Sequence, residues 1–328
     1  AENEAALIDS FSYEAQRVFR DRLVGLEARG TFDQLLTGAL RPQGLMANPN
    51  KMFYTCLYSR GDANWPTGQL RVQSLEEYEC LVQDGHKKYK REQQDLPIEF
   101  FTEVYDHVSQ LDRALSQPGG AALLIGRAGV GRRCLVKLVC HMQNDTEFFS
   151  PSVMDSYDLR SFKTDLKTVL LGAAEDERHR VFFLEDHHIR PEFLGLINTF
   201  LSDGLPSGIL SADELQKFGT AEHFLQLCRR RVRIVISMDP SHSHFLSSCA
   251  ANPALFSRMD VLWWDQWSPE SEEYVARNGR QPERCDVLLQ RRGRLDIHET
   301  PVPRRRLEAT KGGPNDGKRN SSRDGQHR

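Results

Sequence analysis

The chain lacks the features that would place it in a membrane or in an oxidising compartment. Its 328 residues contain no apolar run of about 18 residues and no basic-plus-apolar leader, so neither a membrane span nor a secretory signal is predicted. Its seven cysteines include no C-x-x-C pair, which is typical of reduced thiols in a cytosolic protein rather than of a disulfide framework. The net charge of −3 favours no class of charged partner.

The most informative feature that is present is a glycine-rich loop at residues 126–133, with the sequence GRAGVGRR. It follows an apolar, strand-like run at residues 121–125 and precedes a helix-like run at residues 134–139. A working phosphate-binding loop has the pattern G-x-x-x-x-G-K-[ST], in which backbone N–H groups wrap the phosphates, the lysine contacts their oxygens and the hydroxyl binds Mg²⁺. Here Arg132 replaces the lysine and Arg133 replaces the hydroxyl residue. The sequence therefore predicts a nucleotide-fold module with altered or lost hydrolysis.

The loop predicts contacts with ATP or ADP, and the two arginines leave the state of the site open. The residues predicted to bind the nucleotide are Gly126, Gly129, Val130, Gly131, Arg132 and Arg133. The guanidinium groups could bind phosphates as bidentate partners. They could equally fill the site and form salt bridges with acidic residues downstream. Because the magnesium ligand of the loop is missing, binding of Mg²⁺ is left open.

A second element of a nucleotide site follows the loop by about 50 residues. The apolar run at residues 181–184 ends in Glu185 and Asp186, whereas a working ATPase has Asp-Glu, with the Asp organising Mg²⁺ and the Glu polarising the attacking water. With the order inverted, the shorter Asp186 stands where the longer base is expected. Without the loop upstream, the same residues would predict only a strand end followed by a helix cap.

Asp239 is the candidate for a third element, the polar residue that contacts the γ-phosphate or the attacking water. It follows the strand-like run at residues 231–238, at a position where an amide is usual. A carboxylate there would repel a triphosphate unless a cation lay between them. The alternative is that Asp239 caps a turn before Pro240.

Two further features are not predicted to bind a metal or a nucleic acid. His187 and His188 are consecutive at a helix start, where their side chains are expected to point apart, so no metal site is predicted. Residues 271–328 hold 14 basic and 9 acidic residues but only one aromatic residue, Tyr274, so aromatic side chains are not interleaved with the basic ones and nucleic-acid binding is not predicted either.

Strand-like runs alternate with helical ones, which predicts an α/β fold with a three-layer parallel sheet. We expect a helical domain over residues 1–45, with a helix stop at Gly30, and a linker with helices over residues 46–95. The nucleotide-fold domain is expected over residues 96–270. Residues 271–328 have few aliphatic side chains and are expected to form a basic, disordered tail.

Together these segments resemble the AAA+ ring of the dynein heavy chain family. The resemblance covers residues 1–268 and rests on YEAQRVFRDRL at residues 13–23, the helical segment at 97–115, the loop at 124–133, FKTDL at 162–166, FLGLIN at 193–198, GLPSG at 204–208, and NPALFSR at 252–258 with Trp267 and Ser268. It implies the AAA+ fold, with the end of the third ring module preceding the large domain of the fourth. Within the family, GRAGVGRR and the inverted acids are most similar to the cytoplasmic dynein 2 class of retrograde intraflagellar transport motors.

The resemblance also implies roles, partners and a location. Arg258 would be the arginine finger offered to the nucleotide of the preceding module, and Arg17 would be a sensor for that same site. The implied partners are the adjacent AAA+ modules and, through a full-length motor, dynein subunits and microtubules. The implied location is the cytoplasm, the cytoskeleton and the cilium or flagellum.

The family pattern would continue after Ser268 with a small domain and a long heptad-patterned coiled coil, and residues 271–328 show neither. We therefore expect a piece of a longer or truncated heavy chain that is not a motor by itself. The leading hypothesis is a nucleotide-binding module with weak or no hydrolysis. An active ATPase with altered magnesium coordination and a protein-interaction scaffold are the alternatives.

Overall fold

The computed structural model describes residues 2–41, 53–57, 71–93, 95–143, 146–152, 157–176, 178–202, 204–264 and 267–278. Within them lies a five-stranded parallel sheet with the strand order β4-β5-β6-β3-β7. The strands are β3 (Ala121–Ile125), β4 (Thr146–Phe149), β5 (His179–Leu184), β6 (Val232–Met238) and β7 (Asp260–Trp263). The predicted parallel α/β fold is confirmed. The sequence pattern missed β4, a short edge strand whose side chains are not buried.

Two apolar clusters cover the two faces of the sheet, because successive residues of β3 point to opposite sides. Ala122 and Leu124 pack with α3 (Leu75–Glu92), α4 (Thr102–Ser116) and α5 (Arg132–Met142). Ala121, Leu123 and Ile125 pack with α6 (Leu159–Glu175), α7 (Pro191–Ser202) and α9 (Ala221–Arg231). The sheet is therefore the middle of three layers, and all of β3 is buried.

Residues 2–40 contain three helices that pack beside the edge strand β7. They comprise α1 (Glu2–Ala15), a π-helix (Gln16–Arg20) and α2 (Leu26–Leu40). The expected helix stop at Gly30 is wrong, because Gly30 lies inside α2 and the break comes at Gly25, whose φ of 82° suits glycine. The Trp263 N–H donates to the Asp21 carbonyl at 3.2 Å, and Arg29 Nη2 donates to the Trp263 carbonyl at 2.6 Å.

The segment expected to be a linker also packs onto the sheet domain. It contains the antiparallel pair β1 (Phe53–Thr55) and β2 (Arg71–Gln73), followed by α3. Ser74 and Glu77 form a capping box that starts α3. Tyr78 and Val82 of α3 are fully buried in the same cluster as Ala122 and Leu124.

Shorter helices complete the described chain: α8 (Ala212–Gln216), α10 (Phe245–Ala251), α11 (Ala254–Ser257) and α12 (Pro269–Asn278). Helix α12 crosses the expected boundary at residue 270, since Ser271 Oγ donates to Glu103 and the Tyr274 ring lies 6.5 Å from that of Phe101. The rest of the expected tail, residues 279–328, lies outside the described residues. The six described cysteines are free thiols. Among the described helices, none combines the length and the apolar character that a bilayer crossing requires.

Candidate functional site

The parallel sheet brings the three predicted elements of a nucleotide site to one edge. Strands β5, β6 and β3 are neighbours, and their carboxyl ends, which we call the carboxyl edge, lead into Glu185, Asp239 and the loop. In open α/β sheets, ligands bind in the crevice outside the carboxyl ends of the strands. The sequence-predicted residues of the loop, the acid pair and Asp239 therefore lie together.

Backbone geometry gives the loop the shape of an anion cradle. The Gly126 N–H donates to the Met238 carbonyl at 3.0 Å, and a Cβ at Gly126 would lie 1.8 Å from the Trp264 carbonyl oxygen, so only glycine fits there. Gly129 and Gly131 have φ angles of 100° and 79°. Among the described residues, no hydrogen bond engages the N–H groups of residues 129–131. These groups precede the N-terminus of α5, which favours negative charge.

The Arg132 side chain is buried beneath this cradle, at 8% exposure. Its Nη1 donates to the Met238 carbonyl at 2.7 Å, and its Nη2 lies 3.8 Å from Asp186 Oδ2. Burial lowers the pKa of Arg132, and the charges of Asp186, Asp239 and Glu185 oppose that shift only in part. The guanidinium is thus held by the protein at the ends of β5 and β6.

Arg133, at the position of the magnesium-binding hydroxyl, forms an ion pair with the first acid. Its Nη1 lies 2.5 Å from Glu185 Oε2 and 3.3 Å from Ser150 Oγ. Its guanidinium also lies over the rings of Phe148 and Phe183, at 5.8 and 5.7 Å from their centroids. A cation over aromatic faces beside a carboxylate is held in place by both.

Asp239 links the acid pair to the loop. Its N–H donates to Asp186 Oδ1 at 2.8 Å, and its Oδ2 accepts from the Ala128 N–H at 3.2 Å. Its Oδ1 accepts from the N–H and the hydroxyl of Ser241, at 2.9 and 2.5 Å. Burial would raise the pKa of Asp239, but these hydrogen bonds and the charge of Arg132 outweigh it and lower the pKa. Asp239 therefore caps the turn and also engages one N–H of the loop.

The two histidines do not point apart, which corrects the reason given above for expecting no metal. Their rings lie 4.0 Å from centroid to centroid, and ligand atoms of Glu185, His187 and His188 lie within 4.8 Å of one another. However, the Glu185 N–H donates to His188 Nδ1 at 3.0 Å, and Glu185 Oε2 is paired with Arg133. Burial, followed by the charges of His187 and Arg133, lowers the pKa of His188 to about 4. His188 is therefore a neutral acceptor at neutral pH.

The residues at the carboxyl edge fit a phosphate but not the usual magnesium site. The free N–H groups of residues 129–131 and the start of α5 suit an anion. The position that would supply a hydroxyl to Mg²⁺ instead supplies a guanidinium, already bound to Glu185. All three carboxylates there are already engaged by the protein: Glu185 by Arg133, Asp186 by Arg132 and the Asp239 N–H, and Asp239 by the Ala128 N–H and Ser241.

Arg258 is exposed and lies at the opposite end of the sheet. It follows α11, which is fixed by a hydrogen bond from the Ala254 N–H to Asn198 Oδ1 at 2.9 Å and by the fully buried Leu255. Arg258 lines a cavity with Ala121 and Val232, the first residues of β3 and β6. We call this end of the sheet the amino edge. Arg258 therefore points away from the nucleotide site of its own domain.

Arg17 lies inside the packing between the first helices and the sheet domain. Its Nε is 3.1 Å from Asp21 Oδ2, and the two side chains are 13% and 1% exposed. Asp21 in turn accepts a hydrogen bond from Gln110 Nε2 at 3.1 Å, and Gln110 Oε1 accepts from Trp264 Nε1 at 2.7 Å. The proposed sensor role of Arg17 stays a prediction, and a structural role in this buried network is evident.

Sequence reasoning did not single out Arg229 and Arg230. They end α9 and line the same cavity as Arg258. The sequence shows a run of three arginines before a strand. Nothing in that run indicated that Arg258, more than 25 residues away, would lie beside it.

Comparison with known proteins gives one consistent result. The family model "P-loop containing dynein motor region D4" matches residues 96–223. Cytoplasmic dynein 2 heavy chain 1 of Tripneustes gratilla is 36% identical over 300 residues, which cover 83% of this chain and 7% of that protein. Its counterpart in Chlamydomonas reinhardtii is 35% identical over 299 residues, which cover 84% of this chain and 7% of that one.

A second class of relatives is less similar. The cytoplasmic dynein heavy chain of Dictyostelium discoideum is 29% identical over 285 residues, covering 81% of this chain and 6% of that protein. The chain thus spans about 7% of the length of the dynein 2 relatives and resembles that class more than the other.

Proposed function

Because the chain belongs to the dynein heavy chain family and matches a piece of its motor region, we propose that it forms a AAA+ module with weak or no ATP hydrolysis. In this proposal the module transmits conformational change within the ring and donates Arg258 to the nucleotide site of the preceding module. The finding that best supports weak hydrolysis is the pairing of both loop arginines with the acids that would otherwise organise the reaction.

These pairs act against hydrolysis for a physical reason. A carboxylate that organises Mg²⁺ must be free to bind it, and Glu185, at that position, is held 2.5 Å from the guanidinium of Arg133. A carboxylate that polarises water must be free to accept a proton, and Asp186, at the position of that base, lies 3.8 Å from Arg132 and accepts the Asp239 N–H. Hydrolysis would require both pairs to separate and a magnesium ion to bind without the loop hydroxyl.

We propose that ATP or ADP binds through the loop without efficient turnover. The groups that would hold its phosphates are the N–H groups of residues 129–133, with Arg132 and Arg133 as secondary partners if their ion pairs open. The phosphate oxygens of a bound nucleotide would accept hydrogen bonds from these N–H groups. Mg²⁺ is not assigned to this site.

The role of Arg258 as a finger is supported by its exposure and by its place at the amino edge. An arginine finger supplied in trans stabilises the charge of a phosphoryl-transfer transition state in a neighbouring site. Arg22, from the turn between the π-helix and α2, donates to the carbonyls of Phe256 and Met259 at 3.4 and 3.2 Å and so helps to fix the segment that bears Arg258. A sensor role for Arg17 at that neighbouring site belongs to the same proposal.

The wider setting is proposed from the names of the relatives. We infer that the chain acts in a cytoplasmic, dynein 2-like microtubule motor, next to other AAA+ modules of the same heavy chain and with dynein subunits as further partners. A location at the cytoskeleton and the cilium follows from the same class.

The experiment uses a full-length heavy chain in which hydrolysis by the other modules has been blocked, leaving only the module that precedes this one active. Arg258→Ala is expected to lower its ATP turnover by about 10³-fold or more. Arg160→Ala, which removes another exposed arginine on α6, is the matched control and should leave turnover unchanged. Unchanged turnover in the Arg258 variant would refute the finger role.

A second measurement tests the module's own site. The full chain is titrated with ADP by calorimetry and assayed for ATP turnover. We expect binding without turnover. Turnover that is lost in Asp186→Asn would favour the active-ATPase alternative, and absence of any nucleotide binding would favour the scaffold alternative.

A further inference from the structure

A cavity at the amino edge of the sheet is lined by three arginines. Its volume is about 280 Å³, and it lies between the first residues of β3 and β6. Ala121, Val232, Ile234, Phe200 and Leu201 form its apolar part, and residues 118–120 form a wall. Arg229 and Arg230 contribute from the end of α9, and Arg258 contributes from the end of α11. We call this cavity the arginine pocket.

These three arginines are exposed and lack anionic partners among the described residues. Their neighbours in sequence behave differently. Arg231 donates to the carbonyls of Ala173 and Ala174, at 3.2 and 3.4 Å. Arg233 donates to the carbonyls of Leu115 and Arg230, at 2.8 and 2.7 Å. The fold thus satisfies two arginines of this region and leaves the guanidinium groups of the pocket available.

Helix capping explains only part of this arrangement. Basic side chains in the last turn of a helix interact favourably with its dipole, which accounts for Arg229 and Arg230 taken alone. It does not account for Arg258, which comes from another helix and reaches the same cavity. Three like charges around one cavity repel one another unless an anion lies between them.

We propose that the arginine pocket binds a phosphate chain, and that Arg229 and Arg230 act with Arg258 on the terminal phosphates of a nucleotide held by the neighbouring module. Guanidinium groups bind phosphate oxygens in a planar, bidentate manner and stay charged at all physiological pH values. The volume is slightly below the roughly 300–1,000 Å³ of pockets that enclose a whole small ligand. The pocket therefore suits part of a ligand whose remainder is held elsewhere. The identity of that ligand rests on the proposed function of Arg258.

The pocket itself is tested on the full chain with inorganic tripolyphosphate and an arginine-specific reagent such as phenylglyoxal. Mass spectrometry follows the modification of each arginine. Tripolyphosphate is expected to protect Arg229, Arg230 and Arg258 over one concentration range, while the exposed Arg160 stays reactive. In Arg229→Ala/Arg230→Ala, the concentration that half-protects Arg258 should rise by about tenfold, since two charged hydrogen-bond donors are lost.

Two kinds of result would contradict the proposal. The proposal that the arginine pocket binds a phosphate chain would be overturned if tripolyphosphate protected Arg258 equally well in the double variant and in the unmodified chain. It would also be overturned if tripolyphosphate protected none of the three arginines. Stronger protection by polyglutamate than by tripolyphosphate would overturn the phosphate assignment in favour of an acidic peptide.

The source of the phosphate chain is tested in the full-length heavy chain described above. Arg229→Ala/Arg230→Ala should lower turnover at the preceding module by about tenfold, less than Arg258→Ala does. If Arg258→Ala lowers turnover but the double variant does not, the finger role stands and the contribution of Arg229 and Arg230 is refuted. If neither variant lowers turnover while protection by tripolyphosphate persists, the finger role fails and the pocket stands as a site for free phosphate chains.

Discussion

The two ends of the sheet hold similar residues in opposite states. At the carboxyl edge, Arg132 and Arg133 are bound to Asp186, Glu185 and the Met238 carbonyl. At the amino edge, Arg229, Arg230 and Arg258 are exposed and have no anionic partner among the described residues. An arginine that completes the charge balance of its own domain stabilises that domain, whereas one left unpaired is available to an anion from outside. The comparison predicts that arginine substitutions will have different consequences at the two ends.

The largest expected difference is in stability. Arg132→Ala should lower the free energy of unfolding by about 3 kcal/mol, because it leaves Asp186 and a buried carbonyl without their partner. Arg258→Ala, at the other end, should change it by less than about 0.5 kcal/mol, as expected for an exposed side chain. Urea unfolding of the full chain, followed by circular dichroism, measures both. Similar losses in the two variants would contradict the contrast between the edges.

The next effect is a pH dependence that originates at the carboxyl edge. The pKa of His188 is about 4 in the folded chain and about 6.5 when unfolded. Between these values the unfolded state binds the extra proton, so stability falls as the pH is lowered from about 6.5 towards 4. His188→Asn, which keeps an acceptor for the Glu185 N–H, should remove about 1 kcal/mol per pH unit from this slope. The exposed His223 on α9 supplies the control variant, His223→Asn, with which the slope of the His188 variant is compared.

The smallest effect concerns nucleotide affinity. Asp239→Asn removes a carboxylate that engages the Ala128 N–H and repels phosphate. It should tighten ADP binding to the full chain by about tenfold, equivalent to about 1.4 kcal/mol. Calorimetry compares it with Asp213→Asn, a change at an exposed position on α8. An unchanged or weaker affinity in Asp239→Asn would show that this carboxylate does not compete with phosphate at the loop.

The sequence by itself determined the central strands and the type of sheet, but not the edge strand β4. Apolar runs predicted β3, β5 and β6, because buried strands in a parallel sheet are apolar on both faces. The glycine spacing determined the loop, since left-handed backbone at Gly129 and Gly131 needs no partner elsewhere in the chain. The sequence also placed acidic residues at the ends of two strands, which is a local property.

Only the tertiary structure decided which contacts the residues of the loop, the acid pair and Asp239 make with one another. Arg132 meets the Met238 carbonyl across 106 residues of sequence, and the Ala128 N–H meets Asp239 across 111. The structure also pairs the two loop arginines with the acids that follow β5. Likewise, Arg229, Arg230 and Arg258 share one cavity because β3 and β6 are hydrogen-bonded neighbours whose amino ends coincide. Strand register determines which of these residues come into contact. It depends on the packing of the whole sheet rather than on any local pattern.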